Sequence, residues 1–431
     1  MPRTPTTPAQ ISGHRFLVRR VEHALIRADA RMLHDPLRTR GRAMAAGVAL
    51  VVLVLAGTVI LGLVRPRDGS ADADLLLVRD SGALHVRIDD RVHPVANLAS
   101  ARLVLGQPVE PVRVGAGALH DVTGGHPIGI PAAPALVVGE PQAAPPSVGV
   151  CEDAADDLRE PVSVRSTIAR MGPLPDGDAS ALVADGEATW LLHDGHRARI
   201  DVDDPAVSRA LGLAQAPVRP AGAELLAAVP ERAAVAVPAV PGHGSPSGFP
   251  APFDVVGAVV TVGTRRVVVL EAGAVEVPPV AADALAAHGW TASASAAELA
   301  AVPVARGLDL GSLPGEVPQW APAQGWLCVD ADAERTVVTH GQEPRGVVPY
   351  PRADGPGPGV DGFSPGAPGT VAVDTGGGVH LVSAEGARHL VESRSALGAL
   401  GYPATVAVPW RVLAALRAGP ELTRAAALAA S

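Results

Sequence analysis

Between Ile11 and Pro36, apolar residues recur at spacings of three and four: Leu17, Val21, Ala24, Leu25, Ala28 and Met32. That spacing places them on one stripe of a helix, with arginines over much of the rest. Ser12 is the expected N-cap, and the helix is expected to stop near Pro36. The periodicity then disappears. From Ala43 to Val64 there are 22 residues without a charge, which as a helix would reach roughly 33 Å, enough for a bilayer core of about 30 Å. A signal h-region is shorter and ends at a small-residue cleavage site. Gly62-Leu63-Val64-Arg65 offers no such site and 42 residues precede the run, so an uncleaved anchor is expected.

Beyond the anchor the pattern changes to alternation, and it returns four times. "TVAVDTGGGVHLVSAEGARHLV" (370–391) reads as three strands joined by Asp/Gly and Glu-Gly turns. "LLLVRDSGALHVRIDDRVHPV" (75–95), "ALVADGEATWLLHDGHRARIDV" (181–202) and, more loosely, "AVVTVGTRRVVVLEAGAVEV" (258–277) have the same shape. Each leads into a short helical stretch closed by glycine, at Gly106, Gly212, Gly289 and Gly401. A second helix candidate follows in "AELLAAVP", "AAELAAVP" and "WRVLAALRAGP", with "GALHDVTGG" as the weakest copy. The predicted unit is a β-meander with two small helices, of about 60 residues.

The four glycines are unevenly spaced, which puts inserts between the first and second units and between the third and fourth. These run from about Ala135 to Ser180 and from about Gly315 to Gly369. Each carries one cysteine, Cys151 and Cys328. If the inserts meet as a central domain, a disulfide would clamp them; the alternative is two separate buried thiols. The fold class expected is thus a single-pass membrane protein with an α+β extracytoplasmic region of four β-meander/helix repeats around a central β-rich domain. The boundaries are a cytoplasmic arm 1–42, a transmembrane helix 43–64, a first repeat 75–134, the N-terminal segment of the central domain 135–180, a second repeat with a linker 181–254, a third repeat 255–314, the C-terminal segment of the central domain 315–369 and a fourth repeat 370–431.

Charge sets the expected orientation. Arg3, Arg15, Arg19, Arg20, Arg27, Arg31, Arg38, Arg40 and Arg42 precede the span, while only Arg65 and Arg67 follow it closely. The positive-inside bias places the N-terminus in the cytoplasm and the remainder outside. All 35 basic residues are arginine. Without a lysine, neither a phosphate loop of the G-x-x-x-x-G-K-[ST] type nor a strand-borne kinase lysine is possible. The net charge of −9 opposes a nucleic-acid role. Aromatic residues make up only 3%, so the cores are expected to be built from Val, Leu and Ala.

Several constellations imitate chemistry. Asp80-Ser81-Gly82 and Asp374-Thr375-Gly376 look like the paired loops of an aspartic protease. Both occupy the first turn of a meander, as do Asp185 and Gly186, and a turn needs Asp and Gly for backbone reasons of its own. His193-Asp194-Gly195-His196 falls in a second turn, without a third ligand at suitable spacing. Asp330, Asp332 and Glu334 open like a calcium loop, but Arg335 stands where the sixth-position glycine is required. "DGPGPGVDG", with Gly355, Gly357 and Gly359, reads as a loop, and "GHGSPSGFP" as a linker. No catalytic residue, cofactor or metal is therefore assigned. The arm helix has two readings, a membrane-surface helix and a docking helix for a partner.

"SGHRFLVRRVEHALIRADARMLHDP", "SGALHVRIDDRVHPVANLASARLVLG", "IGIPAAP", the contexts "GVCED" and "WLCVD", and the terminal "VPWRVLAALRAGPELTRAA" together resemble the EccB family of type VII (ESX) secretion systems. The resemblance extends over essentially the whole chain. His14 departs from it, standing where tyrosine is more usual. The family implies a central domain and four repeat domains held by a disulfide, with repeats similar in fold to a phage lysin's wall-binding subunit. It also implies self-assembly within a complex with the partners EccC, EccD, EccE and the mycosin protease. Phe16, Leu17, Val21, Leu25 and Met32 are the candidate partner-docking residues. The alternatives to a structural secretion subunit are an anchored peptidoglycan-binding protein and, as the family is sometimes labelled, a weak ATPase.

Overall fold

The computed structural model describes residues 7–28, 31, 36–64, 72–120, 122–135, 146–157, 160–351, 353, 355, 359–366 and 369–430. The chain divides into two compact units, Met1–Gly69 and Ser70–Ser431.

In the first unit the arm helix runs Pro8–Arg27. Thr7, not Ser12, is its N-cap: the Gln10 side chain accepts the Thr7 N–H at 2.9 Å. Pro8 supplies a first helical residue that needs no donor and has φ already fixed. Ser12 lies inside the helix, its hydroxyl donating to the Ala9 carbonyl. The helix also ends earlier than expected, at Ala28 in the left-handed conformation (φ 58°), and Met32 lies outside the described residues. The second helix spans Pro36–Val64. Pro36, read as a stop, instead occupies the first turn of the next helix, where its missing N–H would have no intrahelical partner. That helix therefore takes in Arg38, Arg40 and Arg42 ahead of the apolar run. Its Gly41–Ile60 stretch, with mean hydropathy 2.6, is long and apolar enough to cross a membrane.

Among its described residues the second unit contains five sheets. Four share one connectivity. In each, three antiparallel strands are followed by a helix and then by a short strand that returns parallel to the first. The sets are Leu75–Val78, Leu84–Ile88, Arg91–Val95 with return Val112–Val114; Ala181–Ala184, Thr189–His193, His196–Arg199 with Val218–Pro220; Val259–Val262, Arg265–Leu270, Gly273–Glu276 with Thr291–Ser293; and Val371–Asp374, Val379–Val382, Ala387–Val391 with Val406–Ala407. The crossover helices are Leu98–Leu105, Pro205–Leu211, Pro279–Ala286 and Arg394–Leu400. Gly106, Gly212 and Gly401 cap theirs with left-handed φ of 68°, 64° and 100°. Gly289 does not: its helix ends at Ala286 with Ala287 still right-handed, so the expected glycine stop is absent there.

The fifth sheet has six strands and draws on two distant stretches of chain. Its order is Thr336–His340, Gly325–Ala331, Pro146–Asp157, Glu160–Pro173, Gly362–Pro365 and Val348–Pro349. Alternation along its strands separates two faces. One carries Val148, Val150, Ala169, Met171, Leu327 and Val329, buried in a single core with Val183, Leu192 and Leu225 of the second meander region and Val373, Val382 and Leu413 of the fourth. A separate core joins the second region (Leu191, Leu211) to the third (Val259, Leu285). Another joins the first (Leu75, Leu103) to the fourth (Leu381, Leu400). Valine, leucine and alanine make up most of these cores, as the scarcity of aromatics requires.

Candidate functional site

The opposite face of the six-stranded sheet holds a disulfide and a buried ion pair. Cys151 and Cys328 stand directly opposite each other in antiparallel register, Cα atoms 4.0 Å apart, and form a fully buried disulfide. The sheet itself brings the sulfurs together, because register places one cysteine of each stretch at the same rung.

Two residues along on the same face lies a second cross-strand row, Arg170, Gly149 and Asp330. Arg170 reaches across the central strand to grip Asp330 with both ends of its fork: Nε donates to Oδ1 at 2.6 Å and Nη2 to Oδ2. Gly149 makes this possible. A Cβ there would come within 2.3 Å of Asp330 Oδ1. Burial pushes the Asp330 carboxyl up, and the Arg170 guanidinium opposes that shift. The pair floors an open groove of about 1050 Å³ walled by Pro173–Asp176 and Gly341–Arg345.

In the arm helix the candidate docking residues are exposed: Phe16 55%, Leu17 57%, Val21 58% and Leu25 80%. Leu17, Val21 and Leu25 succeed one another at four-residue steps on one line. Ile11, Val18 and Ile26 are also exposed. They widen the apolar surface beyond the predicted stripe, and Ile11 and Val18 could have been found from the seven-residue spacing that leads to Leu25.

The look-alike motifs are engaged locally. Asp374 accepts the Gly376 N–H at 2.8 Å and pairs with Arg394, and it lies in a different sheet from the strands flanking Asp80. Asp185 accepts the N–H groups of Glu187 and Ala188 and the indole N–H of Trp190. His193 Nδ1 is 2.9 Å from Ser180 Oγ, and His196 Nδ1 is 2.7 Å from the Asp194 carbonyl. Asp332 accepts the Glu334 and Arg335 N–H groups in a turn. Asp330 is no loop residue but the buried half of the ion pair above. Sequence reasoning missed that role, because its partner lies 160 residues away.

Comparison with known proteins agrees with this architecture. A family model described as "Type VII secretion system ESX-1, transport TM domain B" matches residues 3–431. The ESX-3 secretion system ATPase EccB3 of Mycobacterium tuberculosis (strain ATCC 25618 / H37Rv) is 32% identical, covering 98% of this chain and 89% of the relative. The ESX-1 secretion system ATPase EccB1 of the same strain is 30% identical, with 98% and 94% covered. Among solved structures, a chain of an intact ESX-5 inner membrane complex superposes with a TM-score of 0.68 at 29% identity, covering 100% of this chain and 96% of that one. The EccB3 dimer from the ESX-3 core complex also gives 0.68 at 29% identity, covering 83% of this chain and 100% of that one. With one helix among the described residues long and apolar enough to cross a membrane, an α+β region after it, a disulfide across its six-stranded sheet, and the family model matched from residue 3 to residue 431, the chain belongs to the EccB family of type VII secretion proteins.

Proposed function

We propose that this chain is a structural subunit of a type VII secretion membrane complex, docking partners through its arm helix and scaffolding the envelope side for protein export. EccB proteins are components of ESX inner membrane complexes, one of which includes a periplasmic assembly. In this reading the helix Pro36–Val64 is a single membrane span with the N-terminus in the cytoplasm, and the basic flank ahead of the apolar run supports that orientation. The four like-connected sheets act as repeats of one unit around the central sheet. The partners are EccC, EccD, EccE and the mycosin protease, together with further copies of this chain.

The observation that carries the proposal is the arm helix. A protein that needed only an anchor would be served by a short basic flank, yet 20 residues form a separate helix whose exposed Phe16, Leu17, Val21 and Leu25 present apolar surface to a partner. Replacing Leu17, Val21 and Leu25 with serine leaves the span intact, so membrane insertion is expected to be unchanged. The variant is expected to leave the large EccC-containing complex on native gels, and substrate export is expected to stop. Comigration of the variant with that complex, together with continued export, would make the helix a lipid-surface element and refute the docking role.

A further inference from the structure

Beside the disulfide, on the core-facing side of the same strand, lie a buried glutamate and a buried arginine that the secretion role does not use. Glu152 and Arg219 are each 1% exposed. Both Glu152 carboxylate oxygens accept the backbone N–H of Gly222, at 3.1 and 3.0 Å. Gly222 is the residue just before the short helix Ala223–Ala228, and a Cβ on it would stand 2.6 Å from Oε1, so only glycine lets the backbone approach this closely. Arg219, on the return strand Val218–Pro220, donates through Nη2 to the Glu152 and Gly325 carbonyls. Its buried Nε and Nη1 make no hydrogen bond within the protein. One carboxylate of the central sheet thus holds the start of the segment by which the second meander region packs on it.

We propose that this joint is a proton-controlled latch: with Glu152 protonated, segment 218–228 is seated on the central sheet, and with Glu152 ionised, the seat loosens. The physical reason is the cost of burying a charge. Burial pushes the Glu152 carboxyl up to about 7, against the Gly222 N–H, the Arg219 charge and the Leu225 N–H, while Glu224 adds to the rise. Charged groups face the joint from three elements: Arg219 from the return strand, Glu224 from the helix, and Asp153, which acts on Arg219, from the central strand. Opening returns Glu152 to water and to its ordinary pKa. The closed state therefore binds one proton more than the open state between the two values, and the open population grows as pH rises through that interval.

The test is hydrogen exchange on the full-length protein in lipid nanodiscs, corrected for intrinsic exchange rates. Protection of the amides in 223–228 is expected to fall roughly tenfold per pH unit between about pH 5 and 7 and to level off above, as release of one proton requires. Amides of strand 259–262, which does not touch the joint, serve as the internal reference. In Glu152→Gln, which keeps a carbonyl for Gly222 but cannot ionise, the protection is expected to be high and independent of pH. A flat profile in the unmodified protein, which needs no variant to read, would overturn the proposal. So would a Glu152→Gln protein that retains the slope.

Discussion

At the scale of single residues, the six-stranded sheet shows how a missing side chain can do structural work. Arg170 and Asp330 sit on strands that are not neighbours, and the fork spans the gap only because Gly149 on the strand between them carries no Cβ. Removing one partner of such a pair would leave the other buried and unpaired, which is more damaging than losing the attraction itself. Gly149→Ala keeps both charges and inserts one methyl into their path. It is expected to lower unfolding free energy by ~1–3 kcal/mol, the usual range for overpacking, read as a shift in the urea midpoint of the extracytoplasmic unit. An unchanged midpoint would mean that the strands separate without strain and that the close approach is incidental. Nothing in the run "SVGVCED" marks its glycine for this role, because the two residues it serves lie 21 and 181 positions further along the chain.

Among elements, the crossover helices are the most locally determined parts of the molecule. Asn97, Asp204 and Ser393 each cap a crossover helix with a side-chain oxygen that accepts a backbone N–H of the first turn, whereas Pro279–Ala286 begins without a side-chain cap. Asp204 does so twice, accepting from Ala206 at 2.8 Å and Val207 at 3.0 Å. Its helix carries Val207 and Leu211 into the core shared with Val280 and Leu285. Asp204→Ala is therefore expected to cost about 1 kcal/mol, measured as a lower midpoint in chemical denaturation, with Asp204→Asn recovering most of the loss. These caps and the glycines after them are readable from sequence, since each acts within four residues. The arm helix shows the limit. Ser12 and Thr7 are both chemically suited to begin it, and Pro8 decides for Thr7 by fixing φ at the first helical position. The return strands were not legible at all. Val112–Val114, Val218–Pro220, Thr291–Ser293 and Val406–Ala407 are too short to carry a period, and only the parallel edge of a strand already in place makes them strands.

At the scale of the whole molecule, the disulfide joins stretches of chain separated by 177 residues. By the chain-entropy model a loop of that length stabilises the folded state by about 5 kcal/mol. Replacing Cys151 and Cys328 together by alanine is expected to lower the unfolding free energy by about 3–5 kcal/mol. The loss should appear in thermal unfolding and in faster proteolysis of the six-stranded sheet. A double variant that unfolds at the temperature of the unmodified protein would show that the paired strands hold the sheet without the bond.

Residue order alone was enough for much of what depends on near neighbours: an apolar run long enough to cross a membrane, meanders marked by alternation and Asp/Gly turns, and three of the four helices closed by glycine. It also carried one long-range fact, the cysteine pair, because uneven spacing of the four glycines expected to close helices exposed two inserts with one cysteine each. The rest was decided by the folded chain. Folding set which meander regions share cores, with the first against the fourth and the second against the third. It also placed Arg170 across Gly149 from Asp330, and Glu152 beneath Gly222 and Arg219. The reason is physical: alternation and capping are written within a few residues, whereas strand register and the burial of a charge depend on segments that meet only when the chain has folded.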